Sequence, residues 1–253
     1  MGKEMKNPWK NLKADKSDKY ISNIDRKNMP ELEKKFVKEY KLHLELLPEP
    51  FVGNPKASIY LLNLNPGFSE ENGEEHKKNK KLRECIFKNN NQNYKHQKYP
   101  FYWLDPDLKK TSGGNWWRKK IKQPLKEIGN DELVSKKIFC LEYFPYHSEK
   151  FKELKSIPIE SKEYTFSLIE KAIKAEKIII IMRAKKKWYE SVKDAKGVKC
   201  LEEYRRKKYK DANGEEYSRV MELKNPMNPS ISLENMNPGD FCRVLKILKG
   251  KTQ

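Results

Sequence analysis

Residues 57–67 read Ala-Ser-Ile-Tyr-Leu-Leu-Asn-Leu-Asn-Pro-Gly, a short apolar run that ends in a turn sequence. A run of this length is typical of a buried strand, and Asn-Pro-Gly favours a turn. Three later segments have a similar strand-like character, at 137–144, 177–183 and 217–223. Helical patterns separate them, including one over 161–176. Strands that alternate with helices predict an α/β fold of three layers, α/β/α, with a central, mostly parallel four-stranded sheet.

The chain divides into a short N-terminal region and one larger domain. Residues 1–29 are polar and lysine-rich, which predicts a basic arm that lies over the domain or is partly disordered. Residues 30–253 are expected to form a single domain that ends in a helix at 241–248. Within it, 70–98 is the most polar internal stretch and contains Asn89-Asn90-Asn91. We expect an exposed insertion or mobile loop there.

The charge balance points to a polyanionic partner. The chain has 55 Lys and Arg against 36 Asp and Glu, a formal net charge of +19. Such self-repulsion opposes compact folding, so binding to DNA is the natural reason to keep it. The alternative is a lysine-rich surface that reflects compositional bias and is merely solvated. The densest apolar run, 178–182, is strand-sized, so we expect no membrane association.

The same composition gives three further expectations. The four cysteines lie far apart, with no Cys-x-x-Cys pair, which predicts no metal, no disulfide framework and no cofactor. The N-terminus has no apolar segment of the secretory type, so we expect a cytoplasmic protein. We also expect it to be a monomer.

Two polar motifs follow the first and last predicted strands. Residues 61–68 read Leu-Leu-Asn-Leu-Asn-Pro-Gly-Phe, and residues 223–230 read Leu-Lys-Asn-Pro-Met-Asn-Pro-Ser. In a parallel sheet both would lie beyond the carboxyl ends of the strands, where ligands bind. The tripeptide alone is not specific, because Asn-Pro-Gly recurs at 237–239, where it only precedes the last helix.

Together, Asn65-Pro66-Gly67 and Asn228-Pro229-Ser230 resemble the paired motifs of the uracil-DNA glycosylase superfamily, in its N-P-G/N-P-S, mismatch-specific branch. Residues 115–119, Asn-Trp-Trp-Arg-Lys, are similar to the asparagine-plus-aromatics segment of that family. The resemblance implies a monofunctional DNA glycosylase that flips out a pyrimidine-derived base and excises it, leaving an abasic site. There are two departures: Asn63 replaces the leading glycine of the motif, and Glu142 replaces a base-reading asparagine.

The resemblance also implies roles for individual residues. Asn65 would orient the attacking water and Asn228 would donate to the base carbonyl, as the catalytic pair. The base pocket would take its members from Pro66, Gly67, Phe68, Phe101, Tyr102, Glu142 and His147, with one of the aromatic rings stacked on the base. DNA contacts are expected from Arg118, Ser230, Ile231, Ser232 and Leu233. Among these, Ser230 would hold a phosphate, and Ile231 or Leu233 would fill the emptied stack.

Gly67 and Glu142 together suggest the target base. A glycine at position 67 leaves space beside pyrimidine C5, and an ionised carboxylate at 142 suits the amino group of cytosine. This favours a C5-modified cytosine in foreign (phage) DNA, which would make the protein a phage defence enzyme. Alternatively, Glu142 pairs with a lysine or is protonated. Excision of uracil or mismatched thymine in repair, or non-catalytic DNA binding on the same fold, are the other functions that we consider.

Overall fold

A computed structural model describes residues 5–153, 157–193, 197, 199–211 and 213–250. Its strands are β1 (Phe51–Gly53), β2 (Ile59–Leu62), β3 (Ile138–Leu141), β4 (Ile178–Ile181), β5 (Tyr209–Lys210), β6 (Glu216–Tyr217) and β7 (Val220–Glu222). Five of them form the central sheet in the order β1-β3-β2-β4-β7, in which β1 is antiparallel to β3 and the other four are parallel. The predicted α/β class with a mostly parallel sheet is confirmed, although the sheet has five strands rather than four.

Helices cover both faces of this sheet within the described part of the chain. They are α1 (Met29–Lys35), α2 (Glu70–Lys78), α3 (Lys80–Asn90), α4 (Ser112–Lys120), α5 (Lys122–Ile128), α6 (Asp131–Lys137), α7 (Lys162–Lys174), α8 (Lys185–Ser191), α9 (Cys200–Arg206) and α10 (Pro238–Leu248). The side chains of β2 alternate between the two cores that result. Tyr60 and Leu62 pack with α7 and α8, whereas Ile59 and Leu61 pack with α3, α4 and α10.

The last predicted strand, 217–223, belongs to two sheets. Tyr217 ends β6, which pairs with β5 in a separate hairpin, and β7 begins at Val220 in the central sheet. The apolar alternation runs through both strands without marking the break between them. Strand β1 was not predicted either, since three residues are too few to carry a period-two pattern.

The expected loop at 70–98 is mainly helical, because α2 and α3 occupy residues 70–78 and 80–90. The polar run that suggested a loop is structural. Asn89 Oδ1 accepts from Gly53 N at 3.0 Å, and Asn89 Nδ2 donates to Phe51 O at 2.6 Å. Asn90 Nδ2 donates to Pro48 O at 2.8 Å. These amides satisfy the backbone at and before β1, which is why polar residues are buried here.

The described part of the N-terminal arm lies over the domain. The side chain of Trp9 is completely buried and meets Tyr146 edge to face, with ring centroids 5.8 Å apart. Asp25 is also buried and accepts from Tyr146 Oη at 2.7 Å. Of the two alternatives for residues 1–29, the packed arm is therefore the one that holds from residue 5 onward.

The parallel register determines which residues meet at the carboxyl edge. Leu62 of β2 lies beside Leu141 of β3 and Ile181 of β4. The chain segments that follow these strands consequently lie next to one another. This edge holds the candidate site.

Candidate functional site

A cavity of about 270 Å³ opens at the carboxyl edge of β2, β3 and β4. Its lining comes from the segment after β2, from α2 and α4, and from the residues that follow β3 and β4. Small-ligand pockets occupy about 300–1,000 Å³, so this cavity has room for one small ring system. Ligands of open α/β sheets bind at this edge.

The floor of the cavity is a pair of buried polar side chains, Asn63 and Glu142. Asn63 Nδ2 donates to Glu142 Oε1 at 2.9 Å. Trp188 Nε1 donates to Asn63 O at 3.0 Å and fixes the backbone at this point. The pairing leaves Asn63 Oδ1 and Glu142 Oε2 buried without a hydrogen-bond partner among the described residues. Buried polar atoms are nearly always bonded, so the floor has the character of a binding surface.

Glu142 is protonated near neutral pH. Burial raises the pKa of Glu142 to about 8, although the hydrogen bond from Asn63 acts in the opposite direction. Oε1 then accepts from Asn63, and Oε2 carries a proton that it can donate. Among the alternatives drawn from the sequence, this favours the protonated carboxyl over the ionised one. The floor therefore presents a donor, Glu142 Oε2, together with an acceptor, Asn63 Oδ1.

Asn65 has a fixed orientation at the wall of the cavity. Its Nδ2 lies 3.1 Å from Pro66 O, 3.3 Å from Ser148 O and 3.1 Å from Ser148 Oγ. The two carbonyl groups can only accept, so the nitrogen of the amide must face them. Oδ1 is thus left to accept from a water or ligand, as the predicted water-orienting role requires.

Gly67 provides open space. A Cβ atom at this position would have no heavy atom within 4 Å, and Gly67 itself is exposed. Pro66 is buried, and its carbonyl accepts from Ser148 N at 3.4 Å, which ties the turn to the segment after β3. Pro66 and Gly67 both line the cavity.

One of the three predicted stacking rings, Phe68, lines the cavity. It stacks on His43 with ring centroids 3.3 Å apart and an interplanar angle of 7°. Phe101 and Tyr102 are buried in the core instead and do not line the cavity. Phe101 packs edge to face against Trp117, with ring centroids 4.9 Å apart, and Tyr102 donates to Glu49. These two rings therefore belong to the hydrophobic core and do not form a surface on which a base could stack.

The mouth of the cavity combines an indole ring with two cations. Trp116 of α4 is half-buried and lines the cavity. Lys120 Nζ lies 5.4 Å from the Trp116 ring centroid, and the Arg183 guanidinium carbon lies 5.9 Å from it. Asn228 is exposed beside this cluster, and its Oδ1 accepts from Lys120 Nζ at 2.7 Å. Asn228 is therefore a residue of the rim, and its amide nitrogen remains available as a donor.

The predicted DNA-contacting residues that follow Asn228 differ in how far they are exposed. Ser230 and Ser232 are half-buried, with their hydroxyl oxygens 3.3 Å apart. Leu233 is 44% exposed, which suits a side chain that inserts into a base stack. Ile231 is only 2% exposed and packs in the core, so it does not serve as a wedge.

The guanidinium of Arg118 is held by internal partners. Its Nη1 donates to Asp131 Oδ2 at 2.5 Å and its Nη2 donates to Leu104 O at 2.7 Å. The side chain is 15% exposed. Arg118 ties α4 to the start of α6, and the predicted DNA contact is replaced by this internal one. The basic run that contains it gave no indication of which cations pair internally.

His147 belongs to a buried cluster rather than to the wall of the cavity. Its Nδ1 lies 3.1 Å from Gly67 O and its Nε2 lies 3.1 Å from Leu47 O. Glu49 Oε1 lies 3.5 Å from His147 Nε2 and 3.4 Å from His76 Nε2. Glu49 also lines the cavity. No local pattern in the sequence indicates this cluster, because its members come from three separate segments.

Other cavity residues were also missed from the sequence. Asn63 was noted only as a departure from a motif, although its position at a strand end was a usable signal. Trp116 lies in the segment 115–119 that resembles the family, but no role in the site was predicted for it. Arg183 directly follows Met182 after β4. It could have been predicted as a site residue, because ligands bind beyond the carboxyl ends of parallel strands. Asn72 of α2 could not have been, because its segment was expected to be a loop.

Comparisons of the chain with protein-family models, with curated proteins and with solved structures give no match. In the described part of the chain, the helices are all too short or too polar to cross a bilayer.

Proposed function

We propose that this protein is a DNA glycosylase that draws a pyrimidine-derived nucleotide out of the duplex and hydrolyses its glycosidic bond. The observation that carries the proposal is the buried donor–acceptor pair of Glu142 and Asn63 at the floor of a base-sized cavity. Asn65, with its amide oxygen free for a water, stands at the wall of the same cavity. The resemblance of 65–67 and 228–230 to the uracil-DNA glycosylase motifs agrees with this assignment.

The floor is complementary to the pairing edge of a pyrimidine. On cytosine, N3 accepts and the N4 amino group donates; on uracil and thymine, O4 accepts and N3–H donates. Protonated Glu142 donates and Asn63 Oδ1 accepts. Either pairing edge would therefore supply hydrogen-bond partners for both Glu142 Oε2 and Asn63 Oδ1, which have none among the described residues. The floor thus supports a pyrimidine but does not itself select between these bases.

The space at Gly67 favours a base that carries a C5 substituent. We therefore propose a C5-modified cytosine, of the kind found in foreign (phage) DNA, as the target. Uracil or mismatched thymine is the second candidate, because the neutral Glu142 suits the O4 and N3–H edge equally well.

In the proposed reaction, Asn65 Oδ1 orients a water towards C1′ of the flipped sugar. The bond from C1′ to the base nitrogen breaks, the water oxygen bonds to C1′, and its proton leaves to solvent or to the departing base. Negative charge that develops on the base is stabilised by the Glu142 donor. An amide is a poor base, so we expect slow turnover. Lys120 and Arg183, which both lie beside the Trp116 ring, would hold phosphates.

The test uses duplexes that carry uracil, mismatched thymine, 5-hydroxymethylcytosine or its glucosylated form, treated with hot alkali to reveal abasic sites. We expect cleavage of at least one duplex, with the modified cytosines preferred. Cleavage of uracil or thymine alone would select the second candidate. Salt-sensitive DNA binding without any cleavage would contradict the proposal and favour a non-catalytic binding protein.

A further inference from the structure

Beneath the turn at Gly67 lies a cluster of potential metal ligands that the proposed function does not use. Glu49 precedes β1, His76 is in α2 and His147 follows β3. One ligand atom from each residue lies within 4.8 Å of the other two, and all three side chains are buried. We propose that these three residues bind a divalent transition-metal ion, of which Zn²⁺ fits best.

The distances from the carboxylate to the two imidazoles fit such an ion. Zinc binds imidazole nitrogen and carboxylate oxygen at about 2.0–2.2 Å, so tetrahedral ligand atoms lie about 3.4 Å apart. Glu49 Oε1 lies 3.4 Å from His76 Nε2 and 3.5 Å from His147 Nε2. Two imidazoles and one carboxylate form a donor set that suits zinc and neighbouring transition metals.

The surrounding hydrogen bonds orient the ligands. Tyr102 Oη donates to Glu49 Oε2, which leaves Oε1 to face the two histidines. Gly67 O lies 3.1 Å from His147 Nδ1 and can accept a hydrogen bond from the N–H of that nitrogen. The lone pair of His147 Nε2 then points towards Glu49. Such outer hydrogen bonds to ligating histidines and carboxylates are typical of protein metal sites.

His76 supplies an independent observation. It is 4% exposed, and neither of its ring nitrogens has a hydrogen-bond partner among the described residues. Without a cation, the lone pairs of His147 Nε2 and Glu49 Oε1 would face each other across 3.5 Å, with Leu47 O 3.1 Å from the same nitrogen. A bound ion would be the missing partner of one ring nitrogen of His76 and would attract the converging lone pairs.

The ion would join three segments that surround the cavity. Glu49 lines the cavity, and His147 contacts the carbonyl of Gly67 in the strand-end turn. The site would therefore position the turn at the wall of the cavity. Metal content can be measured without any assay of excision, so a failure of this proposal can be told apart from a failure of the proposed glycosylase activity.

The experiment measures metal content directly. The purified full-length protein is stripped with a chelator, dialysed against Zn²⁺ or Co²⁺, and its bound metal is quantified by mass spectrometry. We expect one equivalent per chain, a Co²⁺ spectrum without thiolate charge-transfer bands, and a rise in melting temperature on adding metal back. His76→Ala and His147→Ala should each weaken binding by about 100-fold or more.

The chain provides matched controls in its other two histidines. His43 stacks on Phe68 and bonds to Glu45, and His96 is exposed. His43→Ala and His96→Ala should each keep one equivalent of metal. Glu49→Gln tests the carboxylate if an alanine variant does not fold. Absence of stoichiometric metal in the wild-type protein would overturn the proposal, and so would His76→Ala and His147→Ala variants that bind the metal as tightly as the wild type.

Discussion

The segments after β2 and after β7 carry similar sequences but differ in what they expose. After β2, Asn63 and Pro66 are buried, and the Asn65 amide is held by Ser148. After β7, residues 224–228 are exposed, with Met227 at 86%. The first segment forms a pocket and the second forms a surface. An enzyme that acts on one base of a polymer needs both.

The second segment is held by two amide side chains, the buried one of Asn235 and that of Asn225, which accepts from Met227 N and Asn228 N. Asn235 Nδ2 lies 3.1 Å from both Asn228 O and Ser230 O, and Asn235 Oδ1 accepts from Asn225 N at 2.6 Å. Its side chains therefore face outward from a fixed backbone. The two similar motifs thus differ because one is packed into a pocket and the other is exposed. The following variants test this difference between the two segments.

The largest effect should come from Asn65→Ala. Loss of the water-orienting amide should reduce the single-turnover excision rate by about 100-fold or more, while the dissociation constant for DNA changes little. The matched control is Asn237→Ala, because Asn237 begins the same tripeptide on the exposed start of α10. Equal rates in these two variants would contradict the role of the first segment.

The pH dependence of excision tests the floor. Activity should fall about tenfold per pH unit above pH 8, where Glu142 loses its proton. In Glu142→Gln this descending limb should flatten, since the amide donates at every pH. A pH–rate profile in which both proteins lose activity in parallel would exclude a protonated Glu142.

The same residue affects stability in a defined direction. Burial raises the pKa of Glu142 from 4.5 in the unfolded chain to about 8 in the folded one. Between these values the unfolded state binds fewer protons, so the free energy of unfolding decreases as pH rises and levels off above about pH 8. Relative to Glu142→Gln, the wild type should lose a few kcal/mol of unfolding free energy between pH 5 and pH 8. Denaturant titrations of both proteins at the two pH values measure this difference.

A smaller effect is expected when the space at position 67 is filled. Gly67→Tyr should reduce excision of a bulky C5-modified base relative to uracil by about tenfold or more. Gly239→Tyr is the control, because a Cβ there also meets no atom within 4 Å but lies outside the cavity. Unchanged substrate ratios in Gly67→Tyr would show that C5 substituents do not enter this space.

The smallest functional effect should come from the exposed segment. Leu233→Ala should weaken excision several-fold and leave the unfolding free energy nearly unchanged, since Leu233 is 44% exposed. Ile231→Ala should instead cost about 2–5 kcal/mol of stability, because Ile231 is in the core. Chemical denaturation and single-turnover assays on both variants separate the two roles. A destabilised Leu233→Ala with normal excision would contradict them.

Local patterns in the sequence predicted the four parallel strands and the two strand-end motifs. They did not predict α2 and α3. The polar asparagines of α3 suggested a solvent-exposed loop, but they are buried and donate hydrogen bonds to backbone carbonyls at and before β1. The partnership of Asn63 with Glu142 depends on the register of β2 against β3, a long-range property that neither segment encodes alone. The same limit applies to Arg118, whose internal partner, Asp131, lies in another helix.

The most direct test of the central claim is the identity of the product. A duplex that carries glucosylated 5-hydroxymethylcytosine would be incubated with the protein, and small molecules released would be identified by mass spectrometry. We predict a free modified base in amounts equal to the abasic sites formed, with none released by Asn65→Ala. DNA that is bound but retains every base, for this substrate and for uracil and mismatched thymine, would contradict the assignment.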